Sequence, residues 1–208
     1  MKNIFTALII LTCSSLFAQD IFDRGDTHLV VPHIGLSEFP IDSTSMATVI
    51  SAFGGDYQLD DKEEKIEEFL NQRKSHSREN LKQFPLLLEL KYESLGVSFY
   101  WLSNDSTQTI RAVKFYHPFK AESQKGIVLN KSTMGAAKTA YDAATILVSG
   151  NPLNELTIHE FTEIGIRFRS SISGYSKDNF PPKKVIENAI LEEIYISNYQ
   201  EKLLLGSL

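Results

Sequence analysis

The chain contains two pairs of similar segments in the same order, and this duplication constrains its fold more than any other feature. Residues 44–54, TSMATVISAFG, resemble residues 132–142, STMGAAKTAYD. Residues 92–99, YESLGVSF, resemble residues 161–168, FTEIGIRF. Similar segments that recur in order indicate two copies of one supersecondary unit. We therefore predict an α+β protein with two tandem helix-plus-antiparallel-sheet repeats after a cleaved signal peptide.

The first 18 residues have the pattern of a signal peptide. Lys2 supplies positive charge, residues 4–11 form an apolar stretch, and Ala18 is the small residue at the predicted cleavage site. That stretch is too short to span a bilayer, which takes roughly 20 apolar residues. Cleavage after Ala18 predicts a periplasmic or secreted protein with no transmembrane segment. A lipid anchor on Cys13 is the alternative, although Thr12 stands where a lipobox requires Gly, Ala or Ser.

Composition narrows the classes of partner. Cys13 is the only cysteine, so the cleaved chain would contain none and would depend on an ordinary packed core instead of disulfides. The formal net charge is −5. An acidic balance argues against nucleic acid or anionic lipid as a bulk electrostatic partner.

Three segments follow the signal peptide. An irregular segment covers residues 19–35, the first repeat residues 36–119, and the second repeat with a C-terminal tail residues 120–208. The first repeat contains a charged insert at residues 58–84, which has no counterpart in the second. Within it, Asp60 to Lys82 is rich in glutamate and predicts a solvated helix or helical hairpin, or else a contact element for a partner.

Each repeat begins with an amphipathic helix. In the first, Thr44 is the predicted N-cap and Gly54 the predicted end, because a hydroxyl satisfies an orphan amide and glycine tolerates the left-handed conformation. In the second, Ser132 is the predicted N-cap. Apolar residues between these signals recur at helical spacing, so both helices are expected to pack on a core. The two stripes are Met46, Val49, Ile50 and Phe53, and Met134, Ala137 and Tyr141.

Alternating residues predict a hairpin in each repeat. Its first arms are residues 86–92 and 156–161, and its second arms carry Gly96 and Gly165 between aliphatic residues. A glycine inside a strand weakens the sheet, so we expect a neighbouring backbone or helix to approach closely there, with a binding groove as the alternative. Residues 110–116 predict a third strand, whereas residues 185–196 are ambiguous between strand and helix.

Signals for chemistry are weak. The histidines lack metal-ligand spacing, and only His28, near Asp20, Asp23 and Asp26, resembles a cation cluster. No nucleophile elbow and no glycine-rich phosphate loop occurs, and Ser132 lacks the lysine that an S-x-x-K nucleophile needs. We therefore assign no catalytic, cofactor-binding or metal-binding residue, and expect a protein that is not an enzyme.

The repeated helix and the motif aromatic–x–x–aliphatic–Gly–aliphatic–x–aromatic resemble the tandem-repeat fold of the β-lactamase inhibitor proteins and of related small outer-membrane-assembly lipoproteins. The resemblance covers residues 35–196. It implies a non-catalytic protein that binds other proteins, partly through an exposed sheet face. The chain departs from the inhibitors because it lacks disulfide cysteines and carries the charged insert.

The expected binding residues alternate with the apolar side of the predicted strands. Ser98, Tyr100, Arg167 and Arg169 are predicted to face outward, and Trp101 to face the core. Tyrosine and arginine are frequent interface hot spots, so Tyr100, Arg167 and Arg169 are the candidate partner-binding residues. The alternative is an ordinary solvated sheet face.

The sequence thus predicts an exported protein-binding module, with a periplasmic inhibitor or immunity protein that neutralises a toxic or hydrolytic partner as its specific form. An envelope-assembly or lipid-handling factor is the alternative. A hydrolase with an unconventional site is held in reserve.

Overall fold

The computed structural model describes residues 26–72, 86–142, 146–150, 156–161, 165–175 and 179–198, with the backbone alone at residues 68–72, 146–150 and 156–161. The predicted signal peptide, Cys13, Asp20, Asp23 and the C-terminal tail lie outside these residues. The described elements, in chain order, are β1 (His28–Val31), β2 (Gly35–Leu36), β3 (Phe39–Pro40), α1 (Met46–Phe53), β4 (Gln58–Leu59), α2 (Lys62–Gln72), β5 (Leu87–Tyr92), β6 (Val97–Leu102), β7 (Ala112–Tyr116), β8 (Ala121–Ser123), α3 (Met134–Tyr141), β9 (Ile146–Gly150), β10 (Leu156–Phe161), β11 (Ile166–Ile172), α4 (Lys183–Asn188) and β12 (Glu193–Ser197).

Two sheets organise these strands. The larger sheet has eight antiparallel strands in the order β4-β5-β6-β7-β12-β11-β10-β9. The smaller sheet has the order β3-β2-β1-β8, and its β1–β8 pair is parallel. Helices combined with mainly antiparallel sheets confirm the predicted α+β class.

Helix α1 begins one residue later than predicted. The hydroxyl of Ser45, not that of Thr44, accepts the backbone N–H of Thr48 at 3.2 Å. Ser45 has extended backbone immediately before the first helical residue, and this geometry brings its side chain to the orphan amide. Gly54 ends the helix as predicted, with φ of 86° and its N–H donated to the carbonyl of Ile50.

Helix α3 shows the same one-residue difference. Thr133 is the N-cap and accepts the N–H of Ala136 at 3.2 Å. The predicted cap, Ser132, instead accepts the N–H of Val128 at 2.9 Å, which stabilises the turn before the helix. Asp142 ends the helix in the left-handed conformation.

The core lies between the larger sheet, the smaller sheet and helices α1 and α3. Phe99 is fully buried, and Trp101, which was predicted to face the core, is buried as well. Phe53, which was predicted to be buried, is only half-buried, and its ring lies 5.2 Å from the rings of both Tyr92 and Phe99. The buried residues of this core come from both halves of the chain. They include Val30, Val49, Leu90, Val97, Val113, Phe115, Met134, Phe168, Ile194 and Ile196.

The prediction that Gly96 lies inside a strand is wrong, but the expected close approach is present. Gly96 follows a single 3-10 turn and has φ of 71°, in the left-handed region. A β-carbon there would lie 2.7 Å from the backbone nitrogens of Pro118 and Phe119. Gly165 also precedes its strand, with φ of 76°. Glycine is therefore required at Gly96 by conformation and by space together.

The structure resolves one segment that the sequence left ambiguous, and it differs from the prediction in two others. Residues 185–196 divide into the end of helix α4 and strand β12, so the region is both helix and strand. Strand β9 was not predicted. In the charged insert, helix α2 was expected to be solvated, yet Ile66 is fully buried.

A chain of side-chain contacts joins the N-terminal segment to the larger sheet. His33 Nδ1 donates to Asn198 Oδ1 at 2.8 Å, and Asn198 Nδ2 donates to Asp42 Oδ2. Arg111 donates to Asp42 Oδ1 and to Asp105 Oδ2, each at 3.0 Å. Because these residues come from separate parts of the chain, the network fixes residues 33–42 against the far end of β12.

Candidate functional site

The larger sheet has two chemically different sides. Along β6, Val97, Phe99 and Trp101 point into the core, so Ser98 and Tyr100 point to the opposite side. The same alternation holds on the neighbouring strands. We call this second side the polar face; its charged and aromatic residues are Glu89, Lys91, Tyr100, Lys114, Tyr116, Arg167, Arg169, Glu193 and Tyr195.

A ladder of aromatic and cationic side chains crosses the middle of the polar face. The rings of Tyr100 and Tyr195 lie 5.8 Å apart, and the guanidinium carbon of Arg167 lies 4.4 Å from the centre of the Tyr195 ring. Lys114 Nζ lies 5.5 Å from the centre of the Tyr100 ring. The backbone register explains the ladder, because Lys114 pairs with Tyr195 and Tyr195 pairs with Arg167.

Glu89 anchors one end of this ladder. Its Oε1 accepts the Tyr100 hydroxyl at 2.7 Å and lies 3.2 Å from Lys114 Nζ. Burial opposes ionisation of the carboxyl, but the nearby Ser98 hydroxyl, the charge and hydrogen bond of Lys114 and the hydrogen bond from Tyr100 outweigh it, so the pKa of Glu89 is lowered. Burial, together with the charge of Glu89, raises the pKa of Tyr100. Glu89 is therefore a carboxylate at neutral pH, and Tyr100 is a neutral donor.

Arg169 lies at the other side of the ladder. Its Nη1 donates to Glu193 Oε2 at 3.2 Å, and 43% of its side chain remains exposed. Register places Arg169 between Glu193 on β12 and His159 on β10. The guanidinium is thus positioned by one carboxylate while much of it faces solvent.

The expectation that Ser98 faces outward to solvent or partner is wrong. Ser98 is on the polar face but is fully buried, because the long side chains of the register-neighbouring Lys91 and Lys114 flank its short one. Within the described residues its Oγ makes no hydrogen bond of normal geometry, and neither does the hydroxyl of Tyr116. The Ser98 hydroxyl is nevertheless close enough to Glu89 to help lower the pKa of that carboxyl, whereas burial raises the pKa of Tyr116.

The three predicted binding residues lie on the same face. Tyr100 and Arg167 both contact Tyr195, and Arg169 is two residues from Arg167 on β11. Sequence reasoning missed Tyr195, because the glutamates around β12 obscured its alternation. It also missed Lys114, although alternation through the predicted strand at residues 110–116 places this lysine opposite the core side.

Within the described part of the chain, metal binding does not offer a second candidate site. Among the residues that the structure describes, no group of three or more His, Cys, Asp or Glu side chains is arranged to hold a metal ion. His28, considered for a cation cluster, is half-buried with its ring 5.2 Å from that of Phe119, and burial lowers its pKa.

Comparisons of the chain with protein-family models, with curated proteins and with solved structures found no match. Over the described ranges, the helices are too short or too polar to cross a membrane.

Proposed function

We propose that the protein is an exported, non-catalytic protein-binding module whose partner docks on the polar face. An inhibitor or immunity protein that neutralises a toxic or hydrolytic partner is the form that we favour. The observation that carries the proposal is the clustering of Tyr100, Tyr195, Arg167 and Arg169 on the side of the sheet opposite the core.

The contacts within the cluster support binding because they order its side chains in advance. Tyr100 is held by its hydrogen bond to Glu89, and the guanidinium carbon of Arg167 lies over the Tyr195 ring. Tyrosine and arginine dominate the energy of many interfaces, since each buries a large area and retains a polar group. Side chains that are already ordered lose less conformational entropy when a partner arrives.

The burial of Ser98 argues against the reserved hydrolase at this position. A serine–lysine catalytic pair requires the two side chains to be close together, and Ser98 does pair in register with Lys114. However, Ser98 Oγ is inaccessible to solvent, and Lys114 is ion-paired with Glu89. A buried hydroxyl beside a paired ammonium provides neither an accessible nucleophile nor a free base.

The proposal includes the tandem-repeat architecture. It is supported by the strand order. Strands β7 and β12 are neighbours at the centre of the larger sheet, followed outward by β6, β5 and β4 on one side and by β11, β10 and β9 on the other. It is also supported by a matching pair of bonds: the Gly96 carbonyl accepts the Tyr116 N–H at 2.8 Å, and the Gly165 carbonyl accepts the Ser197 N–H at 3.3 Å. The resemblance to the β-lactamase inhibitor proteins leads to the same architecture, and residues 1–18 supply the argument for export.

The experiment is quantitative capture from periplasmic extract. Immobilised wild type, Arg167→Ala and Arg169→Ala would be compared with Lys183→Ala, whose side chain is 82% exposed and lies on α4. At least one face variant should bind the captured partner about 2 kcal/mol more weakly, and the control should bind like wild type. All variants should melt within a few degrees of wild type, because exposed ion pairs contribute about 0–1 kcal/mol. Equal capture by every variant would exclude the polar face.

A further inference from the structure

The smaller sheet has an aliphatic side that faces away from the core. Val30 on β1 is fully buried, so its neighbours Leu29 and Val31 point to the opposite side of the sheet. Register places Leu29 beside Glu122 on β8, and Glu122 forms an isolated bridge with Val128. Leu29, Val31 and Val128 therefore share one side of the sheet, which we call the aliphatic side.

This side keeps apolar surface in contact with solvent. Leu29 is 51% exposed, and Val31 and Val128 are half-buried. None of the three belongs to the core cluster of the described residues. The tip of the hairpin between β1 and β2 adds Ile34, which is 42% exposed and donates its backbone N–H to Val31. Exposed apolar side chains that lie close together mark a surface for interaction.

The last described residue is fixed beside this hairpin. Asn198 accepts a hydrogen bond from His33 Nδ1 and donates one to Asp42. His33 directly precedes Ile34 at the hairpin tip. Residues 199–208 therefore start next to the aliphatic side.

The space over Gly165 is closed to the chain that follows β12. Over Gly96, which precedes β6, lies the backbone that follows β7, at Pro118 and Phe119. Over Gly165, which precedes β11, lies the His33 ring instead. The chain after β12 therefore cannot cross the larger sheet there in the way that the chain after β7 does. The hairpin that carries His33 is the nearest remaining surface.

The residues that follow Asn198 have the composition and the reach for that surface. Residues 203–205 are three consecutive leucines, and removing leucine side chains from water is favourable. Five extended residues, from Asn198 to the first leucine, span roughly 17 Å. Leu29 is four residues from His33 along the hairpin, which is roughly 14 Å at most. The first leucine can therefore reach the far end of the aliphatic side.

We propose that the aliphatic side of the smaller sheet is the docking surface for residues 203–205 of the same chain. The leucines pack on Leu29, Val31 and Ile34, and Asn198 fixes the point from which the segment starts. The contact removes apolar surface of both parts from water. It is independent of the polar face, which belongs to the larger sheet.

The test measures how fast a thiol-specific reagent labels a cysteine in place of Leu29. All proteins carry Cys13→Ser, which removes the natural cysteine, so only the introduced thiol reacts. We expect Leu29→Cys in the full chain to react at least about threefold more slowly than in a chain that ends at Asn198, because thiol labelling depends on access. Phe180→Cys is the matched control. Phe180 is 57% exposed, close to the exposure of Leu29, and its labelling rate should be the same in both chains.

A second variant keeps the length of the chain. Leu203→Ser, Leu204→Ser and Leu205→Ser, made together, should raise the labelling rate of Leu29→Cys as much as the truncation does. These serines leave the bonds of Asn198 in place, so the variant answers the question even if the truncated chain does not fold.

Three outcomes would overturn the proposal. The first is equal labelling of Leu29→Cys in the full chain and in the serine variant. The second is a labelling rate that falls as protein concentration rises, because a second copy of the chain would then cover the aliphatic side. The third is faster labelling after removal of residues 19–25 instead of 199–208, because the segment before β1 would then be the occupant.

Discussion

The imidazole ring of His33 lies directly over Gly165, so close that a β-carbon at position 165 would overlap the ring. His33 itself has φ of 61°, in the left-handed region, and its Nδ1 donates to Asn198. The N-terminal segment is thus docked on the second half of the larger sheet by contact as well as by hydrogen bonding.

Replacing Gly165 should reveal its contact with the His33 ring as a loss of stability. Gly165→Ala is expected to destabilise the protein by about 2–3 kcal/mol, from left-handed strain of about 1–2 kcal/mol and displacement of the ring. In His33→Ala the ring is absent, so the same substitution should cost about 1–2 kcal/mol, the strain alone. Urea unfolding of the four proteins measures the coupling. Additive effects would mean that the ring and position 165 do not interact.

Gly96 allows strain and overlap to be separated. Gly96→Ala should destabilise by more than about 3 kcal/mol, because a β-carbon there meets backbone atoms that cannot rotate away. Gly174 is the control, since its φ of 79° is similar but no atom of the described residues lies within 4 Å of an added β-carbon. Gly174→Ala should cost only about 1–2 kcal/mol. Equal losses in chemical denaturation would contradict the close approach.

Phe99 tests the core. Phe99→Ala should reduce the free energy of unfolding by about 3–5 kcal/mol, because it removes buried contacts and leaves a cavity. Phe180 is 57% exposed, so Phe180→Ala should change stability by less than about 0.5 kcal/mol. A thermal melt of Phe99→Ala that matches wild type would reject its place in the core.

Glu89 should contribute to acid lability. Its pKa is lowered from the ordinary value of 4.5, so the carboxylate stabilises the fold above pH 4.5, and this contribution is lost as pH falls through the lower folded-state pKa. Glu89→Gln should be less stable than wild type at pH 7, because Lys114 loses its partner. Its melting temperature should fall less between pH 5 and pH 3.

The pH comparison needs a carboxylate outside the polar face. Glu38 is exposed and lies near the smaller sheet, so Glu38→Gln should follow the wild-type curve of melting temperature against pH. If Glu89→Gln and wild type fall in parallel from pH 7 to pH 3, the buried pairing of Glu89 does not stabilise the ionised form.

Local sequence patterns predicted one helix and one strand whose residues repeat with the period of that element. The stripe from Met46 to Phe53 and the alternation from Val97 to Trp101 arise from the periods of a helix and a strand, and both elements are present. The parallel pairing of β1 with β8 joins residues far apart in sequence, so no local pattern encodes it. Strand β9 was missed because the sequence around residues 146–150 lacks alternation.

The candidate site was partly accessible to the same reasoning. Alternation placed Tyr100, Arg167 and Arg169 on one side without showing that Tyr195 lies between them, since that depends on which strands are neighbours. Ser98 was misjudged because alternation gives the side of a sheet and not the exposure of a short side chain among long ones.

The pairing of β7 with β12 sets an order of events during synthesis. Strands β5, β6 and β7 are consecutive and can pair as soon as residue 116 has left the ribosome, but the free edge of β7 waits for residues 193–197. Throughout that interval β7 presents unpaired backbone groups, the usual template for incorrect strand association. The last described strand, β12, therefore completes the middle of the sheet. A nascent chain that stalls before β12 keeps the edge of β7 unpaired and open to incorrect association.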